Sequence, residues 1–217
     1  MINFSLLTSN IDLFLEGFKV TILSSVSALI GSFILGVIVA IMRISPFKLL
    51  NWLGTAFVEF FRNIPLLIIA FFFFFGMPVL GITLPGFVAG SIALAIYTAA
   101  FIAEAIRAGI NSVPKGQLEA GRSSGLTYLQ TMNKIILPQA IKIVIPPIGN
   151  QFINLVKNSS ILGMIAGLDL MYFGDIISSR TFVTFDVYIF VAVFYLLLTI
   201  PLSLGVGYLE KRLAKNY

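Results

Sequence analysis

Uncharged apolar runs, each closed by a charged residue or by a proline and glycine turn, divide this chain into membrane-length pieces. Residues 1–18 carry Phe4, Leu6, Leu7, Ile11, Leu13, Phe14 and Leu15 together with Asp12 and Glu16, and read as a short amphipathic helix lying at an interface. Val20 to Met42 is 23 residues without a charge, ended by Arg43, Pro46 and Lys48. About 20 apolar residues cross a bilayer, so this is a first span. Its Ser24, Ser25, Ser27, Gly31, Ser32 and Gly36 suit close helix packing in lipid.

The second span runs from about Leu53, just past the interfacial Trp52, to Gly76, with Glu59 and Arg62 in its first half and the Phe71–Phe75 run in its second. The two charges stand at i, i+3, where one helix face pairs them, and Pro65 is expected to be accommodated inside the span. The uncharged stretch from Asn63 to Ala103 is 41 residues, twice one span, so the cluster Gly76-Met77-Pro78 through Pro85-Gly86 must be a turn between two helices. A third span follows from Phe87 to about Ile106 and carries Tyr97, Glu104 and Arg107. The fourth begins near Ile135, is broken by Pro138 and by Pro146-Pro147, and then sets Asn150, Asn154, Lys157 and Asn158 on one helix face. Residues 163–179, with Asp169, Gly174 and Asp175, read as short elements. Val187 to Leu209, 23 uncharged residues closed by Glu210-Lys211-Arg212 and Lys215, is the fifth span. No internal repeat stands out.

One long stretch departs from this pattern. From Val113 to Pro138 the chain alternates Lys115, Gln117, Glu119, Arg122, Gln130 and Lys134 with Leu118, Ala120, Leu126, Tyr128, Leu129 and Met132, which gives a wet face and an apolar face. The composition changes the picture only in what it excludes. Charged residues are 11% of the chain and mean hydropathy is +1.03, which excludes a soluble globular domain. Net charge +5 and a pI of 9.6 do not call for nucleic acid, because basic residues are expected on the cytoplasmic loops of a membrane protein. With no Cys and no His there is no disulfide, no thiolate metal site and no histidine base. Asp12 and Glu16 stand where a cleaved signal would be basic. No cofactor and no metal are called for, and no glycine-rich phosphate loop occurs, so the chain itself is not expected to be an enzyme.

The basic residues also set an orientation. With the N-terminus outside, the inner segments hold Arg43, Lys48, Arg107, Lys115, Arg122, Lys134, Lys211, Arg212 and Lys215, and the outer ones only Lys19 and Arg180. Nine against two places the C-terminus and the polar loop of residues 110–134 in the cytoplasm.

Within that loop, Glu119-Ala120-Gly121, three residues, Gly125, nine residues and Ile135-x-Leu137-Pro138 resemble the cytoplasmic signature of bacterial ABC-importer permeases, Glu-Ala-Ala, three, Gly, nine, Ile-x-Leu-Pro. Every gap agrees, and Gly121 replaces the second Ala. Phe61-Arg62-Asn63-Ile64-Pro65-Leu66-Leu67, Glu104-Ala105-Ile106-Arg107-Ala108-Gly109-Ile110, Gly116-Gln117, Leu137-Pro138-Gln139-Ala140 and Lys157-Asn158-Ser159-Ser160 extend the likeness to the polar amino acid permeases, over about residues 12–212. Two places depart: that family reads Arg-Gly-Thr-Pro at 62–65 and Lys-Asp-Thr-Ser at 157–160, so position 158 lacks an acid here. The resemblance implies an all-α, five-span, single-domain permease (residues 1–217) of the bacterial inner membrane. It further implies a coupling helix between the third and fourth spans, formed by Gly116, Glu119, Ala120, Arg122 and Gly125. Two ATPase subunits, a second permease copy or close homologue, and an extracytoplasmic amino-acid-binding protein are the partners it implies.

Two readings stand for the polar residues inside the spans. In one, Glu104 offers an anion to the ammonium of a zwitterionic substrate, and Asn150, Asn154 and Lys157, with Tyr97, line the rest of the path. In the other, Glu104 pairs with Arg107 and the asparagines hold helices together. The acids Glu59 and Glu104 point to a cationic amino acid, arginine, lysine or histidine, with glutamine or glutamate as the alternative. An ion-driven secondary transporter would show inverted repeats, and a Ser-His intramembrane enzyme would need the histidine this chain lacks.

Overall fold

The chain packs around α5 (Gly86–Ser112), whose most apolar window is 56% buried inside the protein. This computed structural model describes residues 2–214; Lys215, counted above among the inner charges, lies outside the described residues. Among the described residues every regular element is helical. Among the described residues three helices are long and apolar enough to cross a membrane: α2 (Ile11–Ile44), α5, and α10 (Thr184–Ala214) over Thr184–Leu213. Two bent pairs pass the same test jointly, so there are three to five candidate spans.

Small residues decide how close α2 comes to α5. Thr21, Ser24, Ser25, Ala28, Ser32, Gly36, Val39 and Ala40 recur every three or four residues along α2 and are all buried. Ala28 packs with Leu94 of α5, Gly36 lies against Ala99 and Ile102, and Val39 and Ala40 pack with Ala103, while Thr21 accepts a hydrogen bond from the Leu170 N–H. At Gly36 a Cβ would stand 2.8 Å from Ile102 Cγ2 and 3.1 Å from the Ala99 carbonyl oxygen, so only glycine permits this spacing. The expected interfacial helix over residues 1–18 is only partly found. A short α1 (Phe4–Ser9) is separate, but α2 already begins at Ile11. Phe14 is fully buried against Phe190 and Phe194, and at Gly17 a Cβ would stand 2.7 Å from Leu170 Cα, so this early part of α2 is fixed by packing.

The expected second span is not one rod. α3 (Lys48–Asn63) and the segment Leu66–Leu80 meet at 104°. The cause is local, because a residue before proline is driven out of the helical region. Ile64 is extended, with φ −99° and ψ 136°. Beyond the break, α4 (Leu66–Phe71) continues as a π-helical turn over Phe72–Gly76 and a 3-10 turn over Met77–Leu80. Gly81, at φ +81°, then reverses the chain in the turn expected between Gly76 and Gly86. The expected Glu59–Arg62 pair is not formed either, since the Arg62 guanidinium lies 5.3 Å from the centre of the Phe101 ring.

At Pro146-Pro147 the outcome is reversed. α8 (Leu137–Asn158) runs through both prolines without a break. Ala140 and Val144 before them and Leu155 and Val156 after them are buried, and in an apolar layer a broken helix would leave backbone groups with no water to take them. A 3-10 segment, Ser159–Ile165, follows; Ala166 and Leu168 then take positive φ before α9 (Leu170–Thr181). α10 closes the fold, with only 11% of its apolar window buried, so most of its surface is left for lipid or another chain.

At Gly86 a Cβ would sit 2.0 Å from the Ile165 carbonyl oxygen. Gly86→Ala should therefore cost about 1–3 kcal/mol of stability, read as a lower melting temperature of the detergent-purified protein. Wild-type melting would show that the contact between α5 and the 3-10 segment is loose.

Candidate functional site

Three places gather the polar residues singled out above. The first is where α2 ends beside α5. Glu104 lies two turns before the end of α5, and both of its oxygens are occupied. Arg107 donates Nη2 to Oε1 at 2.6 Å and Nε to Oε2 at 3.2 Å, while Arg43, in the last turn of α2, donates Nη1 to Oε2. Glu59 on α3 is near enough to act electrostatically on Arg107. The Arg43 side chain is 8% exposed and that of Glu104 21%, so the cluster is largely shielded from water. Such a paired carboxylate is costly to disturb, because losing it strands a buried guanidinium. Sequence spacing showed Arg107 but not Arg43, which stands 61 positions away and reads from the sequence only as the charge closing a span.

Of the other residues expected along a substrate path, Asn150 falls level with Glu104 and Lys157 does not. α5 and α8 run antiparallel, with Gly109 against Val144 and Leu94 packed with Leu155. In that register Lys157 is about 15 Å along the axis from Glu104, at 1.5 Å per residue. Tyr97 and Asn154 are half-buried at similar heights, and the Tyr97 ring packs against Phe101 at 4.9 Å. Asn150 and Lys157 are exposed.

The second place is a cavity of about 320 Å³ at the far end of α8. It exists because two segments depart from straight helix there and α9 closes the space they leave. The break at Pro65 brings in Leu66 and Leu67, the 3-10 segment brings Ser160, Ile161, Gly163 and Met164 next to Asn158, and α9 supplies Met171 and Asp175. Asp175 accepts a hydrogen bond from the Tyr188 hydroxyl of α10. From the sequence Asp175 is only a member of a short-element region; its isolation within an apolar stretch is the signal that marks it. A larger groove, about 470 Å³, is open on α10 between Phe185, Tyr188 and Ala192, but its walls are apolar and offer nothing to a zwitterion.

The third place is the polar loop. Pro114 (ψ 133°) turns the chain out of α5, and α6 (Lys115–Ser123) follows. It ends at Gly125, whose φ of +84° suits glycine, with the Leu126 N–H donating back to the Gly121 carbonyl. Thr127 and Gln130 then form a reciprocal capping box that starts α7 (Tyr128–Thr131). Gly116, Glu119, Ala120, Arg122 and Gly125 are all exposed, as are Tyr128 and Leu129, the latter 71%. Leu118 instead turns inward to Val113, Met132 and Ile136. The structure also explains Gly121. A Cβ there would meet Thr131 Cγ2 at 2.5 Å, so an alanine would push α6 off α7.

Residues 32–215 match the family described as "Binding-protein-dependent transport system inner membrane component". Over 215 residues, 99% of this chain and 100% of the other, the sequence is 69% identical to the "Probable glutamine ABC transporter permease protein GlnM" of Bacillus subtilis (strain 168). It is 38% identical to the "Glutamate transport system permease protein GluC" of Corynebacterium glutamicum, over 92% of this chain and 93% of the other. Among solved structures, a chain in the crystal structure of an amino acid ABC transporter with histidines superposes with a TM-score of 0.92 at 35% identity, covering 98% of this chain and 99% of that one.

Glu104→Gln leaves Arg43 without its anionic partner. The expected loss is about 1–3 kcal/mol, measured by thermal unfolding, and adding Arg43→Met should recover at least half of it. If Glu104→Gln melts like wild type, the cluster has no structural weight.

Proposed function

We propose that this chain, which belongs to the binding-protein-dependent transport system inner membrane component family, is the permease of an ABC importer that carries a neutral polar amino acid with an amide side chain. It is a multi-pass inner-membrane protein, and its relatives are transport subunits and not catalysts. The observation that carries the neutral cargo is the occupied carboxylate of Glu104. Both oxygens of Glu104 are already held by Arg43 and Arg107, so this acid has no free oxygen to offer a cationic side chain. The expectation of a basic cargo rested on Glu59 and Glu104, and of the two Glu104 is occupied. The cavity, in contrast, offers the amide of Asn158, which both donates and accepts and so matches another amide. A volume of about 320 Å³ suits a small ligand. Glutamate, the cargo in the name of the Corynebacterium relative, would bring a second carboxylate to a wall that already carries Asp175. Glutamine, named for the Bacillus relative, brings none.

In this reading both bent pairs are spans, giving five, with the N-terminus outside and the residue 110–134 segment in the cytoplasm. The polar residues Glu59, Arg62, Asn63, Asn150 and Lys157 are exposed on the isolated chain at depths where lipid would not tolerate them. A second permease copy or close homologue covers them, and the path lies between the two. Substrate reaches the outer face on a binding protein. α6 docks in a groove of an ATPase subunit, one per permease, with Glu119 and Arg122 setting register and Tyr128 and Leu129 adding apolar contact.

Glu119→Lys, and Gly125→Val with its β-branched side chain at positive φ, should each abolish substrate-dependent ATP hydrolysis in the reconstituted complex while leaving membrane insertion intact. Normal hydrolysis in both would remove α6 from the docking role. With the binding protein present, glutamine should stimulate wild-type hydrolysis about tenfold more strongly than arginine at equal concentration. The reverse order would overturn the neutral cargo.

A further inference from the structure

Asp175 is a carboxylate in the wall of a mostly apolar cavity with no cation beside it. Among the described residues both ion pairs are on Glu104, and the one hydrogen-bond partner of Asp175 is the Tyr188 hydroxyl. That hydroxyl takes Oδ1, which fixes the carboxyl group and leaves Oδ2 without a donor. The arrangement is built, not incidental. Gly174 lets α10 approach α9 closely, since a Cβ there would stand 2.8 Å from Val191 Cγ2 and 3.9 Å from the Tyr188 ring, and this approach is what lets Tyr188 reach Asp175. A half-buried carboxylate of this kind calls for a positive partner. A metal is a poor candidate, because no group of three or more acid, His or Cys side chains that could hold one occurs among the described residues.

We propose that Asp175 is the specificity residue that holds the α-ammonium of the cargo, with Tyr188 as its positioning residue. This rests on the cargo reading above and deepens it. The two ends of a glutamine then have separate partners, the ammonium at Asp175 and the side-chain amide at Asn158 across the same cavity. The assignment also gives α10, otherwise peripheral, a link to the cargo, because Tyr188 senses whether Asp175 is occupied.

The test uses the permease–ATPase complex in nanodiscs without binding protein, so that only the membrane site is read, and measures equilibrium binding of glutamine and of its des-amino analogue glutaramate. Wild type should bind glutamine about tenfold or more tighter than glutaramate, the loss of one charge-assisted contact. Asp175→Asn should weaken glutamine to the level of glutaramate and leave glutaramate unchanged, and Tyr188→Phe should narrow the difference without closing it. Equal wild-type affinity for the two compounds overturns the inference, and that arm stands even if Asp175→Asn fails to assemble. Glutamine binding unchanged in Asp175→Asn overturns it as well, without touching the cargo reading. A wild type that binds arginine and not glutamine overturns the cargo reading alone, and the same comparison is then made with arginine and its des-amino analogue.

Discussion

The approach of α2 to α5 along small side chains is the contact from which the arrangement of charge in this protein follows. Alanine, serine and glycine bury little apolar surface each, but in lipid the gain from close backbone approach replaces the hydrophobic term. Because the two helices lie so close, Arg43 at the end of α2 reaches Glu104 on α5. The carboxylate then meets two guanidiniums, and the cluster closes on itself. Glu104 is thereby part of the frame that joins α2 to α5, and the polar residues of the cavity stand at the other end of α8.

There the deviations from straight helix do the work. Pro65 bends one pair by 104°, and the break after the 3-10 segment, where Ala166 and Leu168 take positive φ, bends the other by 49°. In an apolar layer such irregular backbone is tolerated where it lines a cavity or is covered by protein. Both breaks face the same space, between Leu66 and Leu67 on one side and Asn158 and Ser160 on the other. A single polar wall residue on each of two elements, Asn158 and Asp175, is enough to give that space two chemically different ends.

The sequence was informative where a local rule decides the structure, and uninformative where a neighbour does. The Gly76–Gly86 turn follows from run lengths and turn residues and is found; the span expected from Phe87 begins at Gly86, and the one expected over Val187–Leu209 lies inside α10, which extends to Thr184 and Ala214. The prolines show the limit. Pro65, expected to be absorbed, breaks the chain because Ile64 is extended; Pro146 and Pro147, expected to break it, are carried because α8 is packed on both sides of them. The i, i+3 rule finds Arg107 for Glu104 but cannot find Arg43, and it pairs Glu59 with Arg62, which turns to the Phe101 ring instead. Gly121 reads in sequence as a departure from a signature, and its reason, the Thr131 methyl, is visible only in three dimensions.

In the function proposed, cargo sits between the two broken pairs and not at the Glu104 cluster. The most direct measurement is a high-resolution cryo-electron microscopy map of the assembled complex with glutamine bound. Density for the amino acid is expected between Leu66, Asn158 and Asp175, with Glu104 still held by Arg43 and Arg107. Density lying against Glu104, with either arginine displaced from it, would contradict the account.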